Sequence, residues 1–231
     1  MPLVMMLLWT TVAKDAPVGR FGQAQFGAYF LLTMAVRLLT GSWVVWEMTM
    51  EIRQGTLARR LLRPVHPFLA YCAEQAAAVP LRLLIVLPLL VVMVGWLGTG
   101  QFSREPLHWC LLPLALAGAW ALLLSLMLLI GALALYWDSA ISLFELWLAL
   151  YFVLSGYTIP LELFPAGLRA VVTWLPFRFV LSFPVELALG LPSVGAALAA
   201  LAVQWLYVLA LFVAALTVFQ RDLRRYAVYG G

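Results

Sequence analysis

The sequence predicts an all-α integral membrane protein of about six transmembrane helices, and three observations carry that prediction. Hydrophobic residues make up 65% of the 231 and charged residues only 10%, too little charge to cover a water-soluble surface. Apolar runs recur along the chain at lengths near the roughly 20 residues that cross a bilayer. Most of the thirteen arginines and the single lysine fall between those runs, as the loop cations that orient a membrane protein do. The net charge of +4 is too small to point to nucleic acid.

Taken in order, residues 3–13 are apolar but short, and are expected to form a short first helix. Residues 25–46 form a second span interrupted by one charge, Arg37. Residues 79–98 form a third, with Arg82 near its start. Residues 107–137 carry no charge over a length that requires tilt or extension into the interface. Residues 141–159 form a fifth span with Glu145 near its start, and residues 197–219 a sixth. Between the last two lies "AVVTWLPFRFVLSFPVELAL", apolar but broken by Pro176 and Pro184 and carrying Arg178 and Glu186. Broken backbone is not tolerated against lipid, so residues 159–190 are expected to be half-helices that dip in and return, shielded by protein. The whole chain, 1–231, is a single transmembrane domain. The first residues, "MPLVMMLLWTTVAKD", lack the basic leader and the small-residue cleavage site of a secretory signal, so none is expected.

Orientation follows the arginines. Arg53, Arg59, Arg60, Arg63, Arg221, Arg224 and Arg225 share one side; Lys14, Arg20, Arg104, Arg169 and Arg178 share the other. The positive-inside rule puts the first group, and with it both termini, in the cytoplasm.

The motifs of soluble catalysis are missing. No GxxxxGK[ST], HExxH or GxSxG run occurs, so the chain is not expected to bind ATP itself, to hold a metal or to be an enzyme. His66 and His108 fall on opposite membrane faces, each expected in a loop or at the interface. Cys72 and Cys110 flank an apolar block and are not expected to pair.

One stretch stands out, "EMTMEIRQGTLARRLLRP", from Glu47 to Pro64. Gly55 can break a helix. The following "TLARRLLR" places Leu57, Leu61 and Leu62 near one face and Arg59, Arg60 and Arg63 near the other. This is either an interfacial helix touching anionic headgroups or a cytoplasmic helix that receives force from a soluble partner. Together with "SGYTIPLELFP" and "LPFRFVLSFPVELALG", in that order and spacing, the stretch resembles the ABC-2 type permeases, the membrane subunits of a class of ATP-binding cassette exporters. The likeness runs from about Gln25 to the end; relatives usually carry more sequence ahead of the first span.

The resemblance implies six membrane helices with both termini cytoplasmic, in a bacterial cytoplasmic membrane. It implies a coupling segment over 50–63, in which Glu51, Ile52, Arg53, Gly55, Thr56, Leu57, Arg59 and Arg60 dock on an ATPase. It implies an extracellular re-entrant hairpin in which Gly156, Pro160, Pro165, Pro176 and Pro184 break helices at fixed points. ATP and Mg would bind two separate ATPase subunits, and a second permease, identical or paralogous, would complete the path. The rival reading is an ATP-independent membrane scaffold or assembly factor. An apolar interior rich in Trp and Phe suits lipids, lipid-linked molecules or hydrophobic peptides.

Charges inside the spans complete the expectations. Arg37 lies about 18 Å into its helix, near the midplane. It is either a pathway residue facing an anionic headgroup or a buried partner of an acid or of backbone carbonyls. Glu47, Arg82, Asp138 and Glu145 are expected to form an ion-pair network near cytoplasmic span ends.

Overall fold

A computed structural model describes residues 1–137 and 139–229, with the side chains of all but 222 and 224–229. These residues form α-helices joined by turns and two short 3-10 segments, with no strand among them. The helices are α1 (Pro2–Val12), α2 (Gln23–Thr40), α3 (Val44–Arg53), α4 (Leu57–Leu61), α5 (Pro67–Ala77), α6 (Val79–Leu97), α7 (Pro106–Leu133), α8 (Ala140–Leu154), α9 (Ala166–Val172), α10 (Pro176–Val180), α11 (Ser182–Ala188) and α12 (Val194–Tyr229).

A long helix without a charged residue, α7, sits at the centre. α7 packs most extensively against α12, and also against α2, α3, α8, α10 and α11. The opposite extreme is α6, where only Val86 and Met93 are buried. A helix that apolar and that exposed has lipid as its solvent. Four stretches are long and apolar enough to cross a membrane: Gln23–Arg53, Pro67–Leu97, Pro106–Leu133 and Val194–Arg221. The chain is thus a multi-pass, all-helical membrane protein.

The elements differ from the sequence expectation in several places. The second span is two helices, because Gly41, Ser42 and Trp43 leave the helical ladder between α2 and α3. The third begins earlier than expected. His66 accepts the Phe68 N–H at 3.2 Å, and Pro67 follows at the first helical position, so helix starts there and continues with one interruption through α6. The fifth is shorter: α8 has 15 residues and stops at Leu154, short of the hydrocarbon thickness. α1 has 11.

The bundle has two distinct ends. At one, α5 meets the C-terminal part of α12, with the Phe68 and Phe219 rings 4.7 Å apart. At the other, the segments around residues 13–22, 98–106 and 155–193 gather. There the Ser103 N–H donates to the Ala188 carbonyl at 2.8 Å, and Arg20 pairs with Glu162. We refer to these as the coupling end and the hairpin end, after the segments that the sequence resemblance implies there.

Candidate functional site

At the coupling end the chain reverses at Gly55, whose φ of 71° is left-handed and favours glycine. α4 then runs beneath α3. Leu57 anchors it, fully buried, while Ile52 and Leu61 pack at the margin of the core. Arg60 ties the segment down. Its guanidinium donates to Glu51 at 2.8 Å, to Glu74 at 2.8 Å and to Glu47 at 2.7 Å, and lies 4.3 Å above the Tyr71 ring. Tyr71 in turn donates to Glu51 at 2.6 Å. Burial works against the Arg60 charge, but the hydrogen bonds to Glu51 and Glu74 outweigh it and raise its pKa further.

This corrects the simple amphipathic picture of the stretch. Arg60 does not belong to a solvated face, and Leu62 is 87% exposed rather than seated with Leu57. Five residues of helix turn too little surface inward to seat all three leucines. Arg53, Arg59 and Arg63 point outward with Leu62, and Thr56 is half-buried, its hydroxyl 3.4 Å from the Glu51 carbonyl.

Between the two ends, α2 and α3 form a bent rod. The break at Gly41–Trp43 leaves carbonyls without helical partners. Arg82 on α6 answers it, donating to the carbonyls of Leu39, at 3.3 Å, and Gly41. Arg37 is one turn before the bend. It is exposed, donates to the Tyr157 hydroxyl at 2.5 Å and lies over the rings of Tyr157 and Phe152. The expected buried acid or carbonyl partner is absent among the described residues; a phenol and two rings take its place.

The expected ion-pair network is likewise not the one observed. Glu47 serves Arg60 and Arg82 serves carbonyls. Glu145 is exposed, with no ion pair among the described residues. Asp138 lies outside the described residues.

The hairpin end is built from broken backbone. Pro160 and Pro165 cap short helical turns, and Pro176 opens α10. Pro184 lies within the first turn of α11, and the break itself falls at Leu181, with φ −134° and ψ −67°. The reason is the missing N–H: Pro184 cannot bond the carbonyl four residues earlier and crowds it. Gly156 has φ 84°. An added Cβ there would lie 2.5 Å from the Tyr29 hydroxyl and 2.9 Å from Ser182, so the site has no room for one.

Side chains from the membrane helices satisfy the carbonyls this backbone exposes. Tyr29 donates to Gly156 at 2.7 Å and Trp9 to Thr158 at 2.9 Å. Gln204 donates to Phe179 at 2.8 Å and Tyr207 to Trp174 at 2.9 Å. Arg178 donates to Thr173 and pairs with Glu186 at 2.7 Å. None of these donors was named as such from the sequence. Gln204, a lone amide within an otherwise apolar span, is the one signal that could have found them.

Other expectations concern single residues. His108 is buried in the first turn of α7, 2.7 Å from the Ser103 hydroxyl, so it lies on a helix at the hairpin end rather than in a loop. Cys72 and Cys110 are free thiols. Among the described residues no three His, Cys, Asp or Glu side chains gather as metal ligands would.

A search of curated proteins finds no match. A family model does: that of the ABC-2 family transporter proteins matches residues 22–230, which takes in the bent rod, the Arg60 cluster and the hairpin. The chain therefore belongs to the ABC-2 transporter family, whose members are membrane permeases that work with ABC ATPase subunits.

Proposed function

We propose that the chain is the non-catalytic membrane subunit of an ATP-driven exporter and forms half of a path completed by a second permease, identical or paralogous. The observation that carries this reading is the Arg60 cluster. It holds a short, left-handed turn and a five-residue helix rigidly beyond the bundle, with Arg59, Leu62 and Arg63 turned outward. A fixed projection with charged and apolar tips can receive a push from a soluble partner without folding back. Charged rim contacts of this kind set register more than affinity. ATP and Mg would sit on two separate ATPase subunits. The bent rod of α2 and α3 supplies a route for the push, from the projection at one end to Tyr29 and Gly156 at the other.

Arg37 and Glu145 support the second permease. Both are exposed on otherwise apolar helices, and such charges are costly against lipid. Protein or a water-filled path must cover them. In this reading Arg37, framed by Tyr157 and Phe152, faces the path. The membrane is the bacterial cytoplasmic membrane, crossed six times, with the coupling end and both termini inside. α1 and α8 would complete the six spans beside the four long stretches.

Gly55→Pro tests the coupling role. Proline cannot adopt φ 71°, so the projection is misdirected while the spans are untouched. The variant should insert and fold as before, yet fail to retain ABC ATPase subunits on co-purification or leave ATP hydrolysis uncoupled from export. Unchanged coupling in this variant would overturn the role given to the Gly55 turn, whereas a parent chain that retains no ABC ATPase would favour a scaffold that needs no ATP. Sidedness is tested in a chain with Cys72→Ala and Cys110→Ala. A cysteine at Glu105 should label from outside, and one at Gln54 only after permeabilisation.

A further inference from the structure

Two adjoining cavities open at the hairpin end. The larger, about 270 Å3, is lined by Arg20, Glu162 and Arg169 with Gly19, Phe21 and Leu163. The smaller, about 120 Å3, shares Glu162 and Arg169 and adds Arg178 and Glu186. Their charges do not balance. Arg20 pairs with Glu162 at 2.5 Å and Arg178 with Glu186 at 2.7 Å. Both acids are thereby matched, and Arg169 is left over. It lies on the wall common to both cavities and makes no ion pair or side-chain hydrogen bond among the described residues. Arg20 contributes only one of its terminal nitrogens to its pair and is 50% exposed, so it too has donors to spare.

The cavity therefore presents one uncompensated positive charge and two guanidinium groups with unused donors. That combination selects an oxyanion, since the planar fork of arginine matches phosphate oxygens in pairs. The larger cavity has room for a phosphate and the ester carbons attached to it. Its surroundings specify the setting. Trp174 and Trp109, both exposed, stand at the same end, and tryptophans gather at the headgroup level of a bilayer.

We propose that the paired cavity is a binding site for a phosphate group, held chiefly by Arg169 with Arg20 beside it. A lipid headgroup and free phosphate in solution share this chemistry, and the two sources are separable. The site does not depend on coupling to an ATPase.

The test uses the full chain in neutral detergent, with phosphatidylglycerol, dioleoylglycerol and inorganic phosphate as probes, read by native mass spectrometry. Phosphatidylglycerol should bind and dioleoylglycerol, which lacks the phosphate, should not. Arg169→Gln should weaken the phosphatidylglycerol complex about tenfold, the loss expected for one charge-assisted contact. Arg104→Gln, an exposed arginine outside both cavities, should leave it unchanged. Glu162→Gln removes the acid from the shared wall and should tighten binding several-fold, a direction that misfolding cannot produce. Inorganic phosphate that displaces the lipid assigns the site to a soluble phosphate; failure to displace it assigns the site to the lipid. Equal binding of dioleoylglycerol, or unchanged binding in both Arg169→Gln and Glu162→Gln, overturns the proposal.

Discussion

The coupling end and the hairpin end are both held by polar contacts, but the contacts satisfy different things. At the coupling end one guanidinium gathers three carboxylates and a ring, all from the stretch between Glu47 and Glu74. The backbone there is mostly helical, and the contacts hold side-chain charge. At the hairpin end the partners come from far along the chain. Trp9, Tyr29, Gln204 and Tyr207 reach carbonyls of residues 156–179. Here the contacts hold carbonyls at helix breaks and ends, and at buried positions such as Gly156 water cannot stand in. Local charge pairing suits a part that projects toward a soluble partner. Capped broken backbone suits a part that must stay irregular within the bundle.

Gly156 offers the hardest test of that difference. If the hairpin depends on close backbone approach, Gly156→Ala should cost at least about 3 kcal/mol, combining a disfavoured φ with steric overlap. Thermal melting of the purified chain would register it as a large downward shift. Tyr29→Phe removes the nearest atom, so in the Gly156→Ala background it should restore part of the loss. The left-handed φ and the Ser182 contact remain, so recovery should be incomplete. Native-like melting of Gly156→Ala alone would show that the hairpin is not packed this way.

The coupling end should respond less and more specifically. Arg60→Met leaves three partly buried carboxylates without their shared cation and should cost about 2 kcal/mol. Arg59→Met, one residue along and exposed, should fall within about 0.5 kcal/mol of the parent. High salt should narrow the gap, because Glu47 and Glu74 are open enough to be screened. Equal losses from the two arginines would mean that the segment is an undifferentiated basic surface, and the contrast with the hairpin would lose its basis.

The two ends also differed in how far they could be read from the sequence. Apolar run length pointed to the four long stretches and the prolines to the irregular region, because both are local signals. Gly55 marked the turn for the same reason. Arg60 was visible as one of a basic run, but not as its buried member, since that depends on Glu74 and Tyr71 arriving from the next helix. The break at Gly41–Trp43 was hidden inside an apolar run, and only a donor from α6 accounts for how it is satisfied. Long-range partners such as Tyr29 with Gly156 leave no trace in spacing. The match to a family supplied the general function, whereas these contacts came only from the folded chain.

A smaller loss is the most informative about carbonyl capping. Gln204 donates to Ala115 and Phe179, yet its own Oε1 has no partner among the described residues. Ala115 is mid-helix, so its carbonyl already accepts within α7; only the Phe179 carbonyl, near the end of the short α10, depends on the amide. Gln204→Leu removes the useful bond and the unsatisfied oxygen together, and should cost about 1 kcal/mol or less. The local consequence should exceed the global one, with faster hydrogen exchange in residues 180–182, where the chain breaks between α10 and α11. Gly118 provides the cross-check, because a Cβ there would meet the Gln204 Oε1 at 2.6 Å. Gly118→Ala should be destabilising in the parent and nearly neutral beside Gln204→Ala, a non-additivity that double-mutant melting measures directly. If Gln204→Leu leaves exchange at 180–182 unchanged, the hairpin is held by packing alone, and the carbonyl donors are incidental to its shape.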